Sequence, residues 1–168
     1  MKIPDIINDM EPLAELVRQA DRVHVKTFAC GKSLRECLAA MLSYMPGWMR
    51  MLYRVRGVFV RLLGNRQEEV PRQHDLGPRD VSFTPGDPAA FFTVAAGEEE
   101  RFWAAEARDR MISGFLAVAM EPGEQGINRF HLLTMAKYHH FTGRIYFNII
   151  NPFHHFVVFC MARRAVRA

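Results

Sequence analysis

Three sets of residues are of types that do chemistry. They are a carboxylate in an apolar neighbourhood (Glu106), seven histidines that include the pairs His139-His140 and His154-His155, and a Gly31-Lys32-Ser33 step between a strand-like and a helix-like segment. A Glu held in an apolar cavity has a raised pKa and can serve as general acid or base. One hairpin register sets Glu106 inward with Phe102, Ala104 and Phe115, and the other exposes it. It is the carboxylate named as a catalytic candidate. The two histidine pairs fall at opposite ends of the segment expected to be the last strand, so they do not pool into one metal site. His131 is expected to pair near Asn151 and Pro152, close to His154, but with no carboxylate beside it. No metal site is expected. His154 is instead read as a neutral, hydrogen-bonded histidine in the first turn of a helix, where the helix dipole disfavours its charged form.

The Gly-Lys-Ser step is placed as a phosphate loop would be. Such a loop needs a further glycine five residues before Gly31, and Lys26 stands there. Gly31 and Ser33 are therefore read as a turn and a helix cap, and no cofactor is expected. Cys30, Cys37 and Cys160 have neither zinc-knuckle spacing nor the makings of a disulfide framework. They are expected to be reduced, in a cytoplasmic protein.

The elements that would position these groups follow from periodicity. Residues 11–20 suit a short helix within an N-terminal extension, 1–20. Residues 22–29 alternate as a strand. Ser33 and Glu36 form a capping box that opens a helix ending near Tyr44, before Pro46-Gly47. A second helix, from about Gly47 to Leu63, repeats Trp48, Leu52, Val55, Phe59 and Leu62 at three- and four-residue spacing, with Gly64 as its C-cap. Residues 65–88 hold four prolines and read as a long surface loop, with a short strand around Val81 to Thr84.

Strands are expected over 89–96, 101–107, 110–120 and 127–139. Asp109 lies at a turn, and Trp103 is expected across from Gly114. Residues 144–150, β-branched and aromatic, read as a final strand pairing with the one before, Thr134 opposite Ile149. That pairing buries the face bearing Phe130, Leu132 and Thr134 and exposes the one bearing His131, Lys137 and His139. Asn151 and Pro152 are then an N-cap and first helical residue, the hinge into a terminal apolar helix. The architecture is α+β, one domain over 1–168: a curved antiparallel sheet wrapped around a long C-terminal helix, with two further helices after the first strand.

Composition bounds the partners. The chain has 22 basic and 18 acidic residues, with 49% apolar content, as in a folded globular domain. Its arginines are spread along the chain, so nucleic acid is not expected as a partner. The N-terminus carries Asp5, Asp9, Glu11 and Glu15 and has no signal-peptide pattern. No apolar run is read as long enough for a membrane span.

Three segments carry a resemblance. They are G-x-x-Y-F-x-x-x-x-P-F-H (Gly143, Tyr146, Phe147, Pro152, Phe153, His154), the turn E-x-x-D-R (Glu106, Asp109, Arg110), and P-G-W-M-R-x-L-Y-x-x-R from Pro46 to Arg56. Together with the element order they resemble a bacterial family of unknown function within the START-like, or SRPBCC, helix-grip superfamily, over about residues 22 to 166. Relatives follow the turn with a His-Leu pair, where this chain has Met111-Ile112. The resemblance implies an apolar cavity between sheet and terminal helix that takes lipids, polyketides or aromatics. It carries no catalytic motif across.

The expected function is binding of an apolar or aromatic small molecule without catalysis. Its pocket would draw on Trp48 and Leu52 of the second helix, on Phe92, Trp103, Phe115, Leu132 and Phe147 of the strands, and on Phe153 and Val157 of the terminal helix. Two alternatives stand beside it. One is a cyclase, dehydratase or isomerase using an inward Glu or His. The other is a homodimeric interaction protein with a filled cavity.

Overall fold

The structure is a computed structural model that describes residues 3–62, 76–108 and 110–167. Its elements are α1 (Glu11–Gln19), β1 (Arg22–Cys30), α2 (Leu34–Leu42), α3 (Gly47–Leu62), β2 (Pro88–Ala89), β3 (Phe92–Glu98), β4 (Phe102–Arg108), β5 (Ile112–Glu121), β6 (Asn128–Tyr138) and α4 (Phe141–Arg167). Gly64, Asp109 and the first part of the expected 65–88 loop lie outside the described residues, as do the side chains of Phe59 and Leu62.

The strands form one antiparallel sheet in the order β1-β6-β5-β4-β3-β2. Consecutive hairpins build β2 to β6, and β1 closes onto β6 along its whole length, from Arg22↔Ala136 to Cys30↔Asn128. Between β1 and the far edge the chain crosses one face as α2 and α3. The α+β, helix-grip architecture expected from the sequence is the one found.

α2 starts where its chemistry says it should. The Ser33 hydroxyl caps the Glu36 amide, and the Glu36 carboxylate accepts from the Ser33 amide at 2.8 Å. Its apolar stripe, Leu34, Cys37, Leu38 and Met41, is fully buried against Trp103, Val118, Phe130 and Leu132 of the sheet and Val158, Met161 and Ala165 of α4. Full burial of each large side chain in this layer is worth about 1.5–3 kcal/mol.

Both faces of the sheet are covered. The N-terminal segment is part of the core, not an appendage: Ile7, Met10 and Leu13 seal the second face over Phe102, Ala104, Leu133 and Met135. The alternation therefore misleads, because the face bearing Leu133 and Met135 is buried as well as the one bearing Phe130 and Leu132.

Four expectations fail. Residues 144–150 are helical, within an unbroken α4. The edge of β6 that such a strand needs is already taken by β1. Gly143, Tyr146, Phe147 and Ile150 recur at helical spacing, and the last three pack on Met111, Ile112 and Ala136. Gly143 permits the approach, since a Cβ there would stand 2.4 Å from the Met111 carbonyl oxygen. Consequently Asn151 and Pro152 are no hinge. Pro152 lies in the helix interior and leaves the Asn148 carbonyl without its i+4 donor. Trp103 pairs with Val118, and Gly114 with Ala107, because the register of β4 on β5, with Arg108 opposite Ser113, is shifted from the one expected. Finally, Val81 to Thr84 is irregular chain. Two of its carbonyls are satisfied by side chains: Arg35 donates to Val81 at 2.7 Å, and the Trp103 indole to Ser82 at 3.0 Å.

Candidate functional site

α4 crosses the sheet with one stripe inward, and its middle turns bring polar residues to that stripe. Tyr146 and Phe147 are buried, Asn151 follows Phe147 by one turn, and His154 follows Asn151 by three residues. The Phe147 ring lies between two polar rings, 5.8 Å from Tyr138 of β6 and 6.4 Å from His154. α3 runs antiparallel alongside: Trp48 meets Phe156 at 5.3 Å, and Arg56 donates to the Tyr146 hydroxyl through Nε. Further along α3, Tyr53 contacts Phe91, which packs against Phe92.

Three atoms in this region are buried without a hydrogen-bond partner among the described residues: the Tyr138 hydroxyl, Asn151 Oδ1 and His154 Nδ1. An unsatisfied buried polar atom costs about 1–3 kcal/mol, so folded proteins rarely keep several together. The electrostatics point the same way. Burial, and then the neighbouring positive charge of His155, His24, Arg56 and Lys26, pushes the His154 imidazole down to about 4. His154 is thus neutral at pH 7, as expected, but the cause is burial in mid-helix and not a helix N-terminus. A neutral imidazole, a side-chain amide and a phenol can each accept or donate a hydrogen bond. With a pKa so depressed, His154 suits hydrogen bonding better than proton abstraction.

The other candidates lie elsewhere. Glu106 does share a face with Phe102, Ala104 and Phe115, but it is the α1 face, away from α4. Its Oε1 accepts from the Ser113 hydroxyl at 2.6 Å, and Ser113 Oγ lies 3.0 Å from His139 Nε2. With its one proton committed to Glu106, Ser113 accepts from His139. A nucleophile relay has the histidine in the middle, whereas here the serine is, and Ser113 is 2% exposed. His131 is not near His154. It sits on the α1 face, bonded to the Thr27 hydroxyl at 2.9 Å and to Glu121 at 3.3 Å, and its placement by sequence failed with the strand that placed it. No cluster of three metal-ligating side chains occurs among the described residues.

Lys32 donates to the Ala165 carbonyl at 2.6 Å, securing the end of α4, and Gly31 and Ser33 are a turn and a cap. Cys37, Cys30 and Cys160 are free thiols; Cys37 is buried, which pushes its thiol up to about 12.

The residues expected to line a pocket converge only in part: Trp103, Leu132, Phe92 and Val157 share one apolar cluster, and the other five do not join it. Trp103 and Leu132 are core side chains under α2, and Val157 packs against the same cluster. Phe115 is on the opposite face. Phe92 is half-buried at the sheet edge, Leu52 is half-buried on α3, and Trp48 and Phe153 are exposed. Phe147 alone touches the polar cluster. Two open grooves of ≈ 510 and ≈ 710 Å³ lie on the surface, one beside α1 and the other along α2, both away from the cluster. Sequence reasoning missed Tyr138, Tyr146 and Arg56 as site residues. The signal was present: read as one helix, residues 143, 147, 151, 154, 158, 161 and 165 form a single inward stripe, and a polar residue on such a stripe stands out.

No curated protein matches the sequence. A family model does match it over residues 16–161, a span that takes in the entire polar cluster. The chain belongs to the family described as Protein of unknown function (DUF2867).

Proposed function

We propose that the protein binds a small molecule with an apolar or aromatic body and one polar end, between α4, α3 and the sheet. On this reading it is a bacterial, cytoplasmic member of the START-like helix-grip superfamily. The supporting observation is the set of three unpartnered buried polar atoms, on Tyr138, Asn151 and His154, grouped around Phe147. The polar end donates to Asn151 Oδ1 and exchanges hydrogen bonds with the Tyr138 hydroxyl and His154 Nδ1. The aromatic surface of Phe147, Tyr53 and Phe91 supplies the apolar contact, as in most small-molecule sites. Binding without turnover fits the depressed pKa of His154 and the placement of Glu106 on the other face.

The test is native mass spectrometry of protein purified without denaturation. The expected result is an adduct of a few hundred daltons in the wild type that is lost in the Asn151→Leu/His154→Leu double variant. An adduct of equal occupancy in that variant, or no adduct together with no apolar compound in an organic extract, would contradict the reading.

A further inference from the structure

Eleven of the twelve large apolar residues that are exposed among the described residues lie on α3 and α4. On α3 they follow at three- and four-residue spacing, Met51 (67% exposed), Val55 (57%) and Val58 (59%). On α4, Ile145, Ile149 and Phe153 continue the row, each about half exposed. The Trp48–Phe156 contact joins the two rows into one face. Such a face on a folded domain marks an interaction surface.

Charge identifies the occupant. The two helices carry eight arginines and no carboxylate, while the other 14 basic residues share the rest of the chain with all 18 acidic ones. Arg50 and Arg144 stand in the first turns of α3 and α4, where the helix dipole disfavours cations, and neither first turn holds an acidic residue. Fold stability therefore does not account for them. A second copy would set arginine against arginine across a self-complementary interface. We infer that the α3–α4 face docks on an anionic lipid surface, its apolar rows in the acyl boundary and its arginines among the headgroups.

By length and composition alone α4 could cross a membrane, since it has an 18-residue window of mean hydropathy 1.3 that is 28% buried. Its inner stripe, however, is part of the core, with Tyr146, Val158, Met161 and Ala165 all buried. The helix therefore lies along the bilayer surface and does not span it. This inference is independent of the small-molecule reading.

Sedimentation of the full chain with vesicles tests it, using equimolar phosphatidylglycerol and phosphatidylcholine against phosphatidylcholine alone. Binding to the anionic vesicles should be at least about tenfold stronger and should weaken in 0.5 M salt, about three times physiological ionic strength. Arg50→Glu/Arg54→Glu and Val55→Glu should each lower it by about tenfold or more while circular dichroism melts stay unchanged. Asn151→Leu/His154→Leu should leave it intact. Equal binding to both vesicle types, no binding to either, or light scattering that shows a dimer dissociated by Val55→Glu would overturn the inference. The last result would assign the face to a second copy.

Discussion

On the α1 side of the sheet, Ser113 bonds to both Glu106 and His139, and His131 bonds to both Thr27 and Glu121. On the α4 side, Tyr138, Asn151 and His154 each keep a buried polar atom without a partner among the described residues. The two faces are otherwise alike, each a sheet layer under helix with an apolar core. A satisfied buried network adds to stability, whereas an unsatisfied group costs it. The first kind of site is explained by folding alone. The second is retained at a cost that only a partner offsets, so chemistry-bearing residues in bonded triads are the weaker functional candidates here.

The largest effect expected concerns how full the α4 side is. Trp103 is fully buried and its indole bonds to Ser82, so Trp103→Ala should cost about 3–5 kcal/mol in urea unfolding. A loss under about 1 kcal/mol would mean that the ring borders a hollow and not packed core, and would move the binding region under α2.

The next is the pH dependence. His154 is held near 4 in the folded state, against an ordinary histidine value of 6.5 once the chain unfolds, so on acidification the unfolded chain takes up its proton first. Its contribution is present above about pH 6.5 and is lost as pH falls toward about 4, a total of about 3 kcal/mol. His24 and His155, also lowered mainly by burial, add smaller losses of the same sign. Stability measured from pH 7 to 4 should fall steeply in the wild type and less so in His154→Leu. Equal slopes would place His154 in solvent.

A smaller effect is expected at the start of α4. In Gly143→Ala the new methyl meets backbone, 2.4 Å from the Met111 carbonyl, and the first turn of α4 must shift. A loss of about 1–3 kcal/mol is expected, read as a lower urea midpoint. An unchanged midpoint would show that α4 is not seated against β5 as described.

Much of this was legible in the sequence, and the rest failed for identifiable reasons. Ser33 and Glu36 announce α2 because a capping box is local chemistry, and the antiparallel run of β3–β6 follows from turn residues and alternation, though the register of β4 on β5 does not. Residues 144–150 deceive because Ile, Tyr and Phe favour strands locally, and because Asn-Pro imitates a helix start. What overrules them is non-local: β1, over a hundred residues earlier, holds the edge of β6. That one error displaced His131 and turned Asn151 and His154 into hinge residues. The α1 cover was missed for a similar reason, since Leu13 and Met10 look like an ordinary short helix until the far face of the sheet is seen to need them.

The contrast between the two faces is tested most directly by unfolding free energies of Ser113→Ala and His154→Leu at pH 7.5. Ser113→Ala strips Glu106 and His139 of a buried partner and should lose about 1–3 kcal/mol. In protein stripped of ligand, His154→Leu removes an orphaned nitrogen and should be neutral or stabilising. If His154→Leu loses as much as Ser113→Ala, the histidine is a structural group and the α4 side holds no binding site of the kind proposed.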